Sequence, residues 1–112
     1  MNRRIFALAA AVAVASFLVP HVAMAEDHLA EAISHTNEAI EHGKEGHAKE
    51  LVKHAQAALK HATAAEKAKK NEHTKEGITH LKAAIAEGKK NHAEEGTKHA
   101  EEALTHLQAA SQ

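Results

Sequence analysis

Histidines stand at positions 28, 35 and 42, at 47, 54 and 61, at 73 and 80, and at 92, 99 and 106. Within each group the step is seven residues, and the shorter step from His42 to His47 spans Gly43-Lys44-Glu45-Gly46. A neutral imidazole is a nitrogen donor to metal ions, and it titrates near ~6.5 when unperturbed. On one helix, two such rings are separated by ~10.5 Å, too far to share an ion. Carboxylates occupy the gaps. Glu31 lies between His28 and His35, Glu38 between His35 and His42, Glu50 between His47 and His54, and Glu76 between His73 and His80. Glu95 and Glu102 flank His99. Helix residues three or four apart are surface neighbours, so each helix carries an alternating ladder of imidazole and carboxylate.

A second set of donors comes from the partner helix. Folding each half at its glycine turn pairs His28 with His61, His35 with His54 and His42 with His47. In the second half it pairs His73 with His106, His80 with His99 and Glu87 with His92. Each rung offers two imidazoles and one or two carboxylates, a first shell for a divalent cation, except that Glu87 stands where a full repeat would have a histidine. Imidazole suits Cu(II), Ni(II) and Zn(II), with Cu(II) favoured at equal availability. Binding needs neutral imidazole, so affinity should fall below about pH 6.

The elements that must position these side chains are helices. Beyond Pro20 the chain has no proline, few strand formers, and much Ala, Glu, Lys and Leu. Breaks at Gly43 to Gly46, Lys69 to Glu72 and Gly88 to Asn91 leave four helical segments. A shift of 45 residues maps the first half onto the second without a gap, His28 onto His73 through His61 onto His106. The predicted fold is all-α, an up-down antiparallel four-helix bundle built from two duplicated helical hairpins, 26–68 and 72–112. With histidine at heptad position c, Ile33, Ile40, Val52, Leu59, Ile78, Ile85 and Leu104 fall at a. Leu29, Leu81, Leu107 and several alanines fall at d, and Ala32, Ala39, Ala58 and Ala103 at g. Positions a, d and g are the expected buried stripe, with histidine at its edge. Asn71 and Asn91 are expected as N-caps, and Gly43 and Gly88 as C-terminal stops. Gly77 and Gly96 interrupt helices at a cost of about 1 kcal/mol each relative to Ala. The thin alanine-rich core predicts modest stability without ligand.

The N-terminus reads as a secretory signal peptide, residues 1–25: Arg3 and Arg4, an apolar run from Ile5 to Val19, and a small-residue site ending at Ala25, after which cleavage is expected. The run is shorter than the ~20 residues of a membrane span, so no membrane attachment is expected after cleavage. Residues 26–112 then hold 12 Lys against 15 Asp and Glu, with no aromatic residue, arginine or sulfur. Absence of Cys excludes a disulfide framework, thiolate ligands and covalent haem attachment. The near-neutral balance without aromatics argues against nucleic acid as a partner. No nucleophile triad or phosphate loop points to an enzyme. The rows at the stripe edge also differ from a di-iron bundle, whose ligands lie in the core.

The His-x6-His-x6-His42-Gly-Lys-Glu-Gly-His47 stretch and Lys98-His99-Ala-Glu-Glu-Ala-Leu-Thr-His106-Leu resemble the small metal-binding protein (SmbP) family over essentially the whole mature chain. The resemblance implies a periplasmic four-helix bundle that takes several divalent ions, copper foremost, in storage, homeostasis or detoxification. A monomer is expected, with metal ions as its partners. The alternatives are a pH-responsive helical protein and a partner-binding module, neither needing metal.

Overall fold

A computed structural model describes residues 20–112. The leader expected over residues 1–25 therefore lies largely outside the described residues. Four helices follow in order: α1 Pro20–Lys44, α2 Ala48–Ala68, α3 Glu72–Lys89 and α4 Ala93–Ala110. Helices α1 and α2 form one hairpin and α3 and α4 the other, and α2 on α3 and α4 on α1 close the four-helix bundle. Helix α1 begins before Ala25, which is buried at 4% exposure.

The core is narrower than an a/d/g stripe. Positions d and g supply the buried centre: Ala32, Ala39, Leu51, Ala55, Ala58, Ala62, Leu81, Ala84, Ala100, Ala103 and Leu107 are all at 0% exposure. At position a, Ile33, Val52, Leu59, Ile78 and Leu104 are only half-buried, and Ile40 and Ile85 retain 8% and 9%. The helices are rotated accordingly. Positions g and d point inward, with a and c flanking them at about 70° on either side. Aliphatic side chains cover one flank of each helix and histidines the other. Thr36 and Thr97 are buried as well, and each hydroxyl donates to the carbonyl four residues earlier at 2.7 Å.

The glycine and asparagine roles differ from expectation in three ways. Asn71 does cap α3, its carboxamide oxygen accepting from His73 N at 2.8 Å and Thr74 N at 3.4 Å. Asn91 does not cap α4. It adopts φ 65°, as its repeat equivalent Gly46 adopts 81°. Both hairpin turns are Schellman closures around that left-handed residue: His47 N and His92 N donate to His42 O and Glu87 O at 2.9 Å, and Gly46 N and Asn91 N donate to Gly43 O and Gly88 O. Gly43 and Gly88 are therefore not the stops. They lie inside α1 and α3, where a Cβ would collide with Thr97 and Leu51 or with Val52.

Gly77 and Gly96 have the same physical reason. A Cβ on Gly77 would stand 2.8 Å from Leu107 Cδ2, and one on Gly96 would stand 3.2 Å from Leu51 Cδ1. In the first copy the positions of Gly77 and Leu107 are both alanine, Ala32 and Ala62. The second copy thus exchanges an Ala/Ala contact for Gly/Leu, the missing side chain on one helix admitting a larger one from the other. Leu51 itself nests among Gly43, Gly88 and Gly96. The glycines cost helix propensity but admit a fully buried leucine, which is worth about 1.5–3 kcal/mol.

Candidate metal centre

The c-position histidines line the groove between the helices of each hairpin. At the open end of the first hairpin, His28 Nδ1 and His61 Nδ1 are 3.0 Å apart. In the middle, His35 and His54 face each other with ring centroids 6.1 Å apart. Glu38 Oε1 lies 3.1 Å and 3.2 Å from their Nδ1 atoms. At the turn, His42 and His47 are 6.0 Å apart by centroid, with Glu45 Oε1 at 3.9 Å and 3.4 Å. The Schellman closure makes this last pair, because its long-range backbone bond joins these two residues.

The second hairpin repeats the pattern. His73 Nδ1 and His106 Nδ1 are 3.4 Å apart, with Glu76 Oε1 3.1 Å from His106. His80 Nδ1 and His99 Nδ1 are 3.5 Å apart, with Glu102 Oε1 at 3.3 Å and 3.6 Å. At the turn, His92 Nδ1 lies 2.9 Å from Glu87 Oε1 and makes a hydrogen bond with it, and Lys90 Nζ is 3.8 Å from the same carboxylate.

These spacings suit one ion per group. Metal–nitrogen bonds of about 2.0–2.1 Å place neighbouring ligand atoms about 2.9–3.4 Å apart on a square or tetrahedral centre. Among the described residues, five groups bring three donor atoms mutually within 4.8 Å: Glu31/His35/His61, His35/Glu38/His54, His42/Glu45/His47, His73/Glu76/His106 and His80/His99/Glu102. Their middle rings are about a quarter to a third exposed, and their carboxylates roughly half exposed, so ions can enter directly from solvent. Nδ1 of His35 and of His42 is buried and makes no hydrogen bond, the Glu38 and Glu45 oxygens at 3.1 Å and 3.9 Å not completing one. An ion between the rung partners would satisfy these nitrogens.

Two features were not visible in the spacing. First, rings of successive rungs interleave. His61 stacks on His35 at 5.7 Å and 8°, His54 on His42 at 5.1 Å and 5°, and His106 on His80 at 5.6 Å and 6°. The histidines of the first hairpin, and His73, His106, His80 and His99 of the second, therefore form continuous zigzag columns, and Glu31 serves His35 with His61, not with His28. Second, Glu45 supplies the turn carboxylate. It stands three residues after His42, so the same spacing rule would have found it had the turn been counted as part of the ladder. Glu50 and Glu95 are exposed and join none of the five groups among the described residues.

Burial, then the neighbouring His28, holds His61 below the usual imidazole pKa, which favours the neutral, ligating form. The hydrogen bond from His92, helped by Lys90, holds Glu87 below the usual carboxylate range. That rung is already charge-satisfied without an ion.

Fold and site together define the class: a helical bundle whose surface grooves present repeated imidazole and carboxylate donor groups for metal ions. A family model described as small metal-binding protein matches residues 2–110, and the chain belongs to that family. Metal binding goes with that membership. No curated protein matches the chain.

Proposed function

We propose that the protein is exported through its N-terminal leader, cleaved after Ala25, and buffers divalent transition-metal ions in the periplasm. Cu(II) is the preferred ion, with Ni(II) and Zn(II) also taken, and the physiological role is storage or detoxification. The observation that carries this reading is the repetition of open three-donor groups along both hairpins. A catalytic metal centre needs one shaped, water-excluding site. Several similar, solvent-facing groups favour capacity and exchange over catalysis. Imidazole donors without thiolate support the choice of Cu(II) by the Irving–Williams order.

Titration calorimetry of the exported protein tests it. Several equivalents of Cu(II) should bind at pH 7.5 and few at pH 5, because protonated imidazole does not ligate. Helix content that falls with acid, together with no heat on adding metal, would instead support a pH-responsive protein.

A further inference from the structure

Two of the c-position histidines join none of the groups above: His92, which Glu87 already holds, and His28, which no carboxylate reaches. His28 reaches His61 but belongs to none of the three-donor groups, whereas His61 has a second set in Glu31 and His35. What His28 lacks, the residues before it supply. Cleavage after Ala25 makes the chain begin Glu26-Asp27-His28. We propose that this new terminus is a separate Cu(II)/Ni(II) site. Its four donors are the α-amino nitrogen of Glu26, the amide nitrogens of Asp27 and His28, and Nδ1 of His28. The inference rests on the leader reading made under Proposed function.

A histidine third from a free amine closes two five-membered chelate rings and one six-membered ring around an ion, all through nitrogen and in one plane. Square-planar nitrogen donors suit Cu(II) and Ni(II). Zn(II) has no such preference and favours a tetrahedron. Binding displaces one proton from the α-ammonium, whose pKa is about 7.7–8.0, and one from each of the two amides. The three protons pass to solvent. The two anionic amide nitrogens balance the dication, and no oxidation state changes.

The helix start fits this demand. In helix α1 the amide of each residue reaches the carbonyl four residues earlier. For Asp27 and His28 those carbonyls belong to Ala23 and Met24, which leave with the leader. Their N–H groups then join the first-turn amides that have no intrahelical partner. Glu26 and Asp27 are exposed, while Leu29 immediately after His28 is buried at 7% exposure. The first three mature residues can therefore leave the helix while Leu29 keeps it docked. When His28 turns to the terminus, His61 remains stacked on His35 at 5.7 Å with Glu31 beside them. The two sites do not compete. The terminus would exclude Zn(II), which the open rungs admit.

The test expresses the whole precursor in a Gram-negative host and purifies the exported product, with its N-terminus read by mass spectrometry. One equivalent of Ni(II) should give the visible d–d absorption of a diamagnetic square-planar centre and release three protons, and Zn(II) should do neither. Asp27→Pro removes one required amide proton at a helix start that tolerates proline. A glycine inserted between Asp27 and His28 moves the histidine to fourth place. Each variant should abolish the Ni(II) band and lower Cu(II) uptake by one equivalent, with Zn(II) uptake unchanged. A product starting elsewhere than Glu26 would overturn the inference together with the cleavage site. A Glu26 product without the band would overturn it alone, leaving the rung sites untouched.

Discussion

Rebuilding the second turn should add one ion site. Across the 45-residue repeat, His42, Glu45 and His47 correspond to Glu87, Lys90 and His92. The first turn offers three donors to a cation. In the second, a lysine ammonium 3.8 Å from Glu87 already supplies the positive charge. Both turns close by the same pair of backbone hydrogen bonds, so the scaffold for a site is present and only the donors are missing. Glu87→His with Lys90→Glu restores them. The present capacity follows from the five groups, two of which share His35. A neutral imidazole has one free lone pair, so His35 serves one ion at a time and four groups fill together. The double variant should take a fifth equivalent of Zn(II), an ion that avoids the N-terminal chelate. At free Zn(II) 100-fold above Kd, the extra site stabilises the fold by about 2.7 kcal/mol. At about 4–8 °C per kcal/mol for a domain of this size, that raises the melting temperature by about 10–20 °C over the parent with Zn(II). Calorimetric titration and thermal melts with and without Zn(II) measure both. Glu87→His alone, which keeps the Lys90 ammonium, should gain much less. A folded double variant that saturates at four equivalents, or a single variant that matches the double, would refute the reasoning.

Leu51→Ala should cost about 3–5 kcal/mol in urea unfolding of the metal-free protein, the upper part of the range for buried leucine, because glycines have no side chains to fill the hole. A loss below about 2 kcal/mol would contradict the packing described. Gly43→Ala should destabilise by about 1–3 kcal/mol despite its better helix propensity, since the added methyl meets Thr97 and Leu51, and equal or higher urea midpoints would show otherwise. His61 is held below the ordinary imidazole pKa, so the unfolded chain takes up a proton near 6.5 and the folded one only at lower pH. Its contribution to metal-free stability is therefore intact above about pH 6.5 and is lost as pH falls through the folded value. His61→Gln should give a shallower decline between pH 7 and 5, and an unchanged slope would remove His61 from the account.

Sequence reading reached the bundle because period and punctuation agree. The seven-residue histidine step forces a helix face, and the 45-residue shift forces a hairpin used twice. Rung pairing followed from counting outward from each turn. Reading stopped short where three-dimensional packing decides. The burial of d and g over a depends on how closely alanine faces let the helices approach, which no single helix wheel reports. The left-handed turn positions 46 and 91 are hidden in sequence because a glycine three residues earlier, at 43 and 88, is an equally good helix stop. Only the clash a Cβ would make with Thr97, Leu51 or Val52 shows what those earlier glycines do. The stacking of His61 on His35 was hidden for a similar reason: equal heights predict pairs, and ring width makes neighbouring pairs touch.

The contact of Leu51 with Gly96 reaches beyond packing. These residues occupy the same place in the two repeats, and they meet near the axis that relates them. Two identical hairpins brought together here would set leucine against leucine and collide, or glycine against glycine and leave a hole. The halves are thus related as lock and key although their sequence pattern repeats. Exchanging one for a copy of the other, or pairing a single hairpin with itself, would forfeit the join that holds the bundle's turn end shut.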